Sequence, residues 1–278
     1  MKKIEDVKRF YDEATIRKLH GFIYSNTRVE YALQSLNSLF NYKKPNRILE
    51  IGSGIGEVCY RVASNYPHAE VVGFDISEQS IKIATNLFIL PNLRYLQRDS
   101  LMNVEFSRNG KFDVIFLMDV YEHIPVNERS NLHYFIQEHL SETGFIFLSC
   151  PTPQNLDYLR ANAPSEIQPV DENINLNTLL ELSCQTTTKL SSYREVSVWK
   201  AGDYFHAVFT NHFGMQPYSD FNIQKESNPI SLKKKILRKI KGINNAKPKE
   251  TRSIIQFKKD LIKKRLGEEI LKKVEIFT

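Results

Sequence analysis

Cysteine is scarce in this chain. Cys59, Cys150 and Cys184 are odd in number and widely spaced, so neither a disulfide framework nor a zinc site of paired cysteines is on offer. They fit reduced thiols in a cytoplasmic protein. Long apolar runs are missing too. Val114–Met118 and Phe145–Leu148 are short and strand-like, far below the roughly 18 residues that span a bilayer. The opening Met-Lys-Lys-Ile-Glu-Asp has no apolar h-region, so no secretory leader is expected. There is no internal repeat, no low-complexity stretch and no H-x-x-x-H spacing; no metal site can be argued.

Positive charge is unevenly spread. Of 38 Lys+Arg and 32 Asp+Glu (formal net charge +6), residues 231–278 hold 16 basic and 5 acidic. That leaves 22 basic and 27 acidic for residues 1–230, a mildly acidic body. A compact nucleic-acid binder, basic throughout, is therefore disfavoured. Hydrophobic residues at 41% and charged residues at 25% exclude disorder throughout. The length suits one large domain with appendages.

Periodicity predicts helices over 4–19 and 27–41, ahead of a break at Tyr42-Lys43-Lys44-Pro45. Strands then alternate with helices. The strands are Arg47–Ile51, Glu70–Asp75, Leu93–Gln97, Phe112–Met118 and Gly144–Ser149, and the helices are Glu57–Ser64, Glu78–Phe88 and Asn127–Leu140. This βαβ spacing calls for a parallel sheet covered on both faces. A helix at about 173–184 follows. Two strand-like stretches, Lys189–Trp199 and Tyr204–Thr210, flank Lys200-Ala201-Gly202-Asp203, a hairpin signal that ends the sheet in antiparallel strands. The expected division is 1–45 as a helical lid, 46–222 as the main domain with an insertion at 151–187, and 223–278 as a basic helical tail.

The strongest local signal is Leu49-Glu50-Ile51-Gly52-Ser53-Gly54-Ile55-Gly56-Glu57, directly after a strand and opening a helix. Glycine permits positive φ and lets a ligand lie against the turn. The spacing is G-x-G-x-G, where a dinucleotide turn would be G-x-G-x-x-G. Glu50 repels a pyrophosphate and suits an ammonium group. Asp75 ends the next strand, 19 residues past Gly56, where an acid suits two ribose hydroxyls. The third strand is followed by Asp99-Ser100, whose carboxylate suits an adenine amino group. The fourth runs into Asp119-Val120-Tyr121-Glu122-His123-Ile124-Pro125.

These residues resemble the motifs of the class I S-adenosylmethionine-dependent methyltransferases, in the small-molecule branch with a D-V-x-E-H-I type fourth-strand sequence. The resemblance covers about 46–150 and, more loosely, 188–210. It implies an α/β, Rossmann-like, seven-stranded and mostly parallel sheet with the last strand antiparallel, and S-adenosyl-L-methionine as cofactor. It further implies that Gly52, Ser53, Gly54 and Gly56 line the methionine moiety, with Glu50 near its ammonium. Asp75 and Ile76 would hold the ribose, Asp99 and Ser100 the adenine, and Leu117 and Met118 would close the methionine side. Arg28, on a lid segment with Tyr11, Lys18 and Tyr24, would pair with the cofactor carboxylate.

Methyl transfer to a hydroxyl requires alignment and a base. His123, oriented by Glu122, is the first candidate. His206, on one strand face with Tyr204 and Val208, is the second. His20, His68, His133, His139 and His212 form no constellation and are expected at the surface. The expected acceptor is a small or sugar-containing molecule taken at oxygen, with a surface-polysaccharide or lipid-linked intermediate as one candidate. The alternatives are an RNA methyltransferase and a non-catalytic binding module. In the tail, Leu232–Lys241 and Ile254–Phe277 read as basic amphipathic helices. Three uses stay open for them: docking on their own domain or a second copy, an anionic membrane surface, and a phosphate-rich partner.

Overall fold

A computed structural model describes residues 15–97, 110–168, 170–211 and 252–276. Two helices come first, α1 (Thr15–Tyr24) and α2 (Thr27–Tyr42). Asn26 starts α2 by accepting a hydrogen bond from the Arg28 amide at 3.1 Å, which satisfies one of the exposed donors of a first turn. The alternating body follows as β1 (Arg47–Ile51), α3 (Glu57–Asn65), β2 (Glu70–Asp75), α4 (Glu78–Leu87), β3 (Leu93–Gln97) and β4 (Phe112–Met118). It continues through α5 (Val126–His139), β5 (Leu140–Pro151), α6 (Pro153–Asn162), α7 (Leu176–Gln185), β6 (Lys189–Val196) and β7 (Tyr204–Thr210).

The strand order is β3-β2-β1-β4-β5-β7-β6. Strands β1 to β5 pair in parallel, and β7 lies antiparallel between β5 and β6. This is a Rossmann-like α/β sheet whose order reverses between β1 and β4, the place where such sheets bind ligands beyond their strand C-termini. Alternate residues go to opposite faces. Leu49, Ile115, Leu117 and Leu148 pack with Leu132, Ile136 and Leu179 of α5 and α7. Ile48, Val114, Phe116 and Phe147 pack with Leu36 and Phe40 of α2 and with Val58 and Val62 of α3. Burial on both faces is why the strands read as nearly continuous apolar runs.

Several elements differ from their sequence reading. Strand β5 begins at Leu140 rather than Gly144, because Leu140 pairs with Phe112 before the register shifts. Helix α1 extends past position 19 to Tyr24; its expected start, and Tyr11, lie outside the described residues, as do Asp99, Ser100, His212, the boundary near 223–230 and the helix at 232–241. The second tail segment is two helices, α8 (Arg252–Leu266) and α9 (Glu268–Glu275), separated by Gly267 at φ 97. Part of their apolar surface is covered by their own domain, while Ile254 and Phe257 of α8 and the following Ile276 stay exposed. Ile262, Leu271 and Val274 are buried with Leu19, Phe22 and Ile23 of α1 and with Ile83 and Leu87 of α4. Lys258 donates to the Phe22 carbonyl at 2.6 Å. Among the described residues no helix is long and apolar enough to cross a membrane.

Candidate functional site

Two sites adjoin at the strand C-termini. The first is the β1–α3 turn. Gly52 and Ser53 donate their amides to the Phe74 carbonyl at 2.7 and 2.9 Å, which holds the turn against β2. Gly52 has φ 78, and a Cβ there would lie 2.2 Å from Val120 Cγ2; a Cβ on Gly56, at φ 83, would meet the Tyr95 ring at 2.6 Å. Both positions therefore demand glycine twice over, for backbone conformation and for space.

Asp75 ties this turn to the next. Its Oδ2 accepts from the Gly54 amide at 2.7 Å and its Oδ1 from the Ser77 amide at 2.8 Å. A carboxylate has about four lone-pair directions, so room remains for ligand hydroxyls. Ile76 is partly buried against the core. Glu50 is buried between β1 and α3 and accepts from the Cys59 thiol at 2.8 Å. Burial pushes its carboxyl up to about 8, against the opposing pull of the Cys59 hydrogen bond. Ser53 Oγ is buried without a hydrogen-bond partner. Positive-φ glycines, an orphaned hydroxyl and two carboxylates facing one turn fit a cationic, hydroxyl-bearing ligand, as S-adenosylmethionine is. Leu117 is fully buried among core side chains, and Met118 is partly buried on the other face of the sheet.

The second site begins one residue past β4. Asp119 has φ 55 and donates its amide to the Ser149 carbonyl at 2.8 Å. That left-handed turn sends Val120 against Gly52 and leaves Asp119 in a cavity of about 380 Å³. Arg28 reaches in from α2, its Nε 2.8 Å from Asp119 Oδ2 and its Nη1 donating to the Tyr204 hydroxyl at 3.2 Å. Arg28 thus meets a protein carboxylate, on the opposite side of the β4 end from Asp75. Burial alone would lower its pKa; Asp119 and Tyr204 outweigh that and raise it. Burial raises the Asp119 carboxyl, with Arg28 opposing.

His123 lines the same cavity. Its Nδ1 lies 2.8 Å from both the Val170 carbonyl oxygen and Asp171 Oδ1. A carbonyl only accepts, so Nδ1 carries a proton and Nε2 is the nitrogen that titrates. Nε2 is 3.7 Å from Glu122 Oε1. Burial pulls the imidazole pKa down, but Glu122 and Asp171 together raise it above its ordinary value. Burial likewise raises Glu122.

The rest of the wall comes from α6, the 164–171 segment and the β6–β7 turn. Asp203 organises that turn by accepting from the amides of Val198, Trp199 and Lys200 at 2.7, 2.9 and 3.0 Å. It thereby presents Trp199 and Lys200 to the cavity, with Lys200 Nζ 3.5 Å from the centre of the Tyr158 ring. Asp119, Asp171, Lys200 and Tyr204 carried no assigned role in the sequence. Asp119 stood in the quoted motif, and its position at a strand end was the available signal; Asp171 had none.

His206 lies elsewhere. It is buried beneath α2 with Nδ1 2.9 Å from Ser35 Oγ and its ring against Phe147, and it is not among the cavity's lining residues. Burial lowers its pKa to about 4. His133, expected at the surface, is instead fully buried. Its Nε2 is 2.7 Å from the Tyr121 hydroxyl and its Nδ1 2.7 Å from Gln185 Oε1, partners that make burial of an imidazole tolerable.

Comparison with known proteins agrees with this geometry. Residues 48–144 match the family described as a methyltransferase domain. An uncharacterised protein of Rickettsia prowazekii (strain Madrid E) is 26% identical over 136 residues, 47% of this chain and 54% of that protein. Norajmaline N-methyltransferase of Rauvolfia serpentina is 26% identical over 125 residues, 43% of this chain and 42% of that enzyme. The chain thus spans about half the length of these curated relatives. Magnesium protoporphyrin IX methyltransferase from Synechocystis PCC 6803, solved with bound SAH, has a similar fold. Its TM-score is 0.58 at 15% identity, covering 75% of this chain and 99% of that one. Residues 48–144 thus match a methyltransferase domain, and the sheet that contains them shares the Rossmann-like fold of that solved structure.

Proposed function

We propose that this protein is an S-adenosylmethionine-dependent methyltransferase that acts on a small, hydroxyl-bearing acceptor held in the Asp119–His123 cavity. One observation carries the reading: the β4 end turns so that consecutive residues serve both sites, Val120 on the glycine turn and Asp119 in the cavity. S-adenosylmethionine, when bound, supplies a methyl group on a cationic sulfur that keeps the bonding electron pair as the methyl leaves. Gly52, Ser53, Gly54, Gly56, Asp75 and Glu50 would hold it. Asp99 and Ser100, outside the described residues, keep their assignment to the adenine as part of the proposal.

His123 takes the proton that the acceptor hydroxyl gives up as its oxygen gains the methyl carbon. The resulting imidazolium rests between Glu122 and Asp171, whose charges favour it. Arg28 acts on the acceptor side, through Asp119. His206 has no part in this chemistry. A sugar-containing acceptor, such as a surface-polysaccharide or lipid-linked intermediate, suits a polar cavity with Trp199 on its wall. An acid-lined cavity in an acidic body gives an RNA acceptor little support. The packed face of α8 and α9 favours docking of the tail on its own domain; an anionic membrane surface is left to the lysines of 231–251. The test is transfer of label from methyl-labelled S-adenosylmethionine into a small-molecule extract. The wild type should label small molecules and the His123→Ala variant should not. Label confined to RNA, or no transfer at all, would refute the reading.

A further inference from the structure

Asp119 Oδ1 and Glu122 Oε2 are buried with no well-aligned hydrogen bond, both on residues that line the acceptor cavity, although the Tyr204 hydroxyl and the Cys150 thiol lie close enough to pull the two carboxyls' pKa values down. The Glu122 side chain is 1% exposed. A buried acceptor without a donor costs free energy that a folded chain ordinarily avoids. These two oxygens belong to carboxylates, so the cost is larger and the missing partner is a donor. Asp119 sits at φ 55, in the left-handed region that Asp and Asn enter more readily than other side chains, and this turn places it on the cavity wall.

The charges around the cavity favour the same kind of ligand. Asp119, Glu122, Glu166, Asp171 and Asp203 face it, against Arg28, Lys200 and His123. Arg28 already spans Asp119 Oδ2 and the Tyr204 hydroxyl, and His123 already meets Asp171 and Glu122. Lys200 rests on the Tyr158 ring. Burial raises Glu122 to about 7, yet even with Glu122 and His123 both protonated four carboxylates face three cations. A phosphorylated or carboxylated acceptor would add to that excess.

We propose that the acceptor carries a protonated amine beside the hydroxyl it presents for methylation, and that Asp119 and Glu122 are the pair that receives this amine. The assignment rests on the methyl-transfer reading for which group is the acceptor. A hydroxyl offers one donor, whereas an ammonium offers three together with a charge, and charge-assisted bonds to carboxylates are the stronger kind.

The experiment is calorimetric titration of the full chain, saturated with S-adenosylhomocysteine, with three probes of one scaffold: glucosamine, glucose and glucose 6-phosphate. Glucosamine should bind at least about tenfold more tightly than glucose, a factor worth about 1.4 kcal/mol, and glucose 6-phosphate should bind weakest. Asp119→Asn keeps a residue type that tolerates positive φ and should remove the glucosamine preference; Glu122→Gln should reduce it. Thermal melting of both variants shows that they remain folded. Equal binding of glucosamine and glucose, tighter binding of the phosphate, or an unchanged preference in both folded variants would overturn the proposal. So would binding of S-adenosylhomocysteine with no binding of any probe. Failure to bind S-adenosylhomocysteine is separate: it counts against the methyl-transfer reading, while the three probes still report on the amine site.

Discussion

The glycine turn and the Asp119–His123 cavity lie side by side and are built in opposite ways. The turn is made mainly of backbone from one short segment, Gly52 to Gly56, clamped by Asp75 and by the Phe74 carbonyl. The cavity is made of side chains from α2, the β4 end, residues 151–171 and the β6–β7 turn. In the ion-paired cluster at its base, Arg28 and Tyr204 are 176 positions apart. A backbone site tolerates few substitutions and serves one ligand. A side-chain site can be rebuilt for many acceptors without disturbing the sheet.

That contrast can be broken at either side. The largest effect should come from His123→Ala, with turnover falling about 10²- to 10⁴-fold, the usual worth of a positioned base, and S-adenosylhomocysteine binding retained. Because Glu122 and Asp171 raise the His123 pKa, the basic form accumulates only above the ordinary histidine range. Wild-type turnover should climb with pH on that alkaline side, and the rise should vanish in the variant. Equal loss of cofactor binding would mean that the two sites are not separable.

Next in size is Ile262→Ala in α8, which opens a hole in the cluster joining the tail to α1 and α4. Such truncations cost about 2–5 kcal/mol, so the melting temperature should drop while the acceptor KM stays as it was. A changed KM would show that the tail reaches the cavity. Gly52→Ala follows, at about 1–3 kcal/mol for a strained backbone position. Its Cβ displaces Val120, so this variant should weaken both sites.

The effect confined to pH dependence belongs to Glu50→Gln. The buried Glu50 carboxyl titrates at about 8, up from 4.5. The folded state therefore holds a proton that the unfolded chain has released. Stability should fall as pH rises from 4.5 towards 8, and the variant should lose less over that range in chemical denaturation.

Much of the sheet was legible because its signals are local. Alternating runs, the glycine turn and Asp75 all lie within one βαβ unit, where pattern and structure coincide. The start of β5 is hidden in the sequence because Glu142 and Thr143 interrupt its apolar run, although Leu140 already pairs with Phe112. The burial of His133 is hidden for a different reason. A lone histidine on a helix reads as surface, and its two partners, Tyr121 and Gln185, are brought to it only by the fold. The cavity was half legible. Glu122 and His123 are neighbours in sequence, but Asp171 meets His123 across 48 positions. The charge division was visible at once, whereas which face of the tail is covered depended on where α1 and α4 lie.

The central claim is that the turn at Gly52–Gly56, with Asp75, binds the methyl donor. Calorimetric titration with S-adenosylhomocysteine of the wild type and of Asp75→Asn tests it most directly. Saturable one-to-one binding, lost or weakened by about tenfold or more when the charge that receives the hydroxyls is removed, is the predicted result. No binding to the wild type, or equal binding to a folded Asp75→Asn variant, would contradict it.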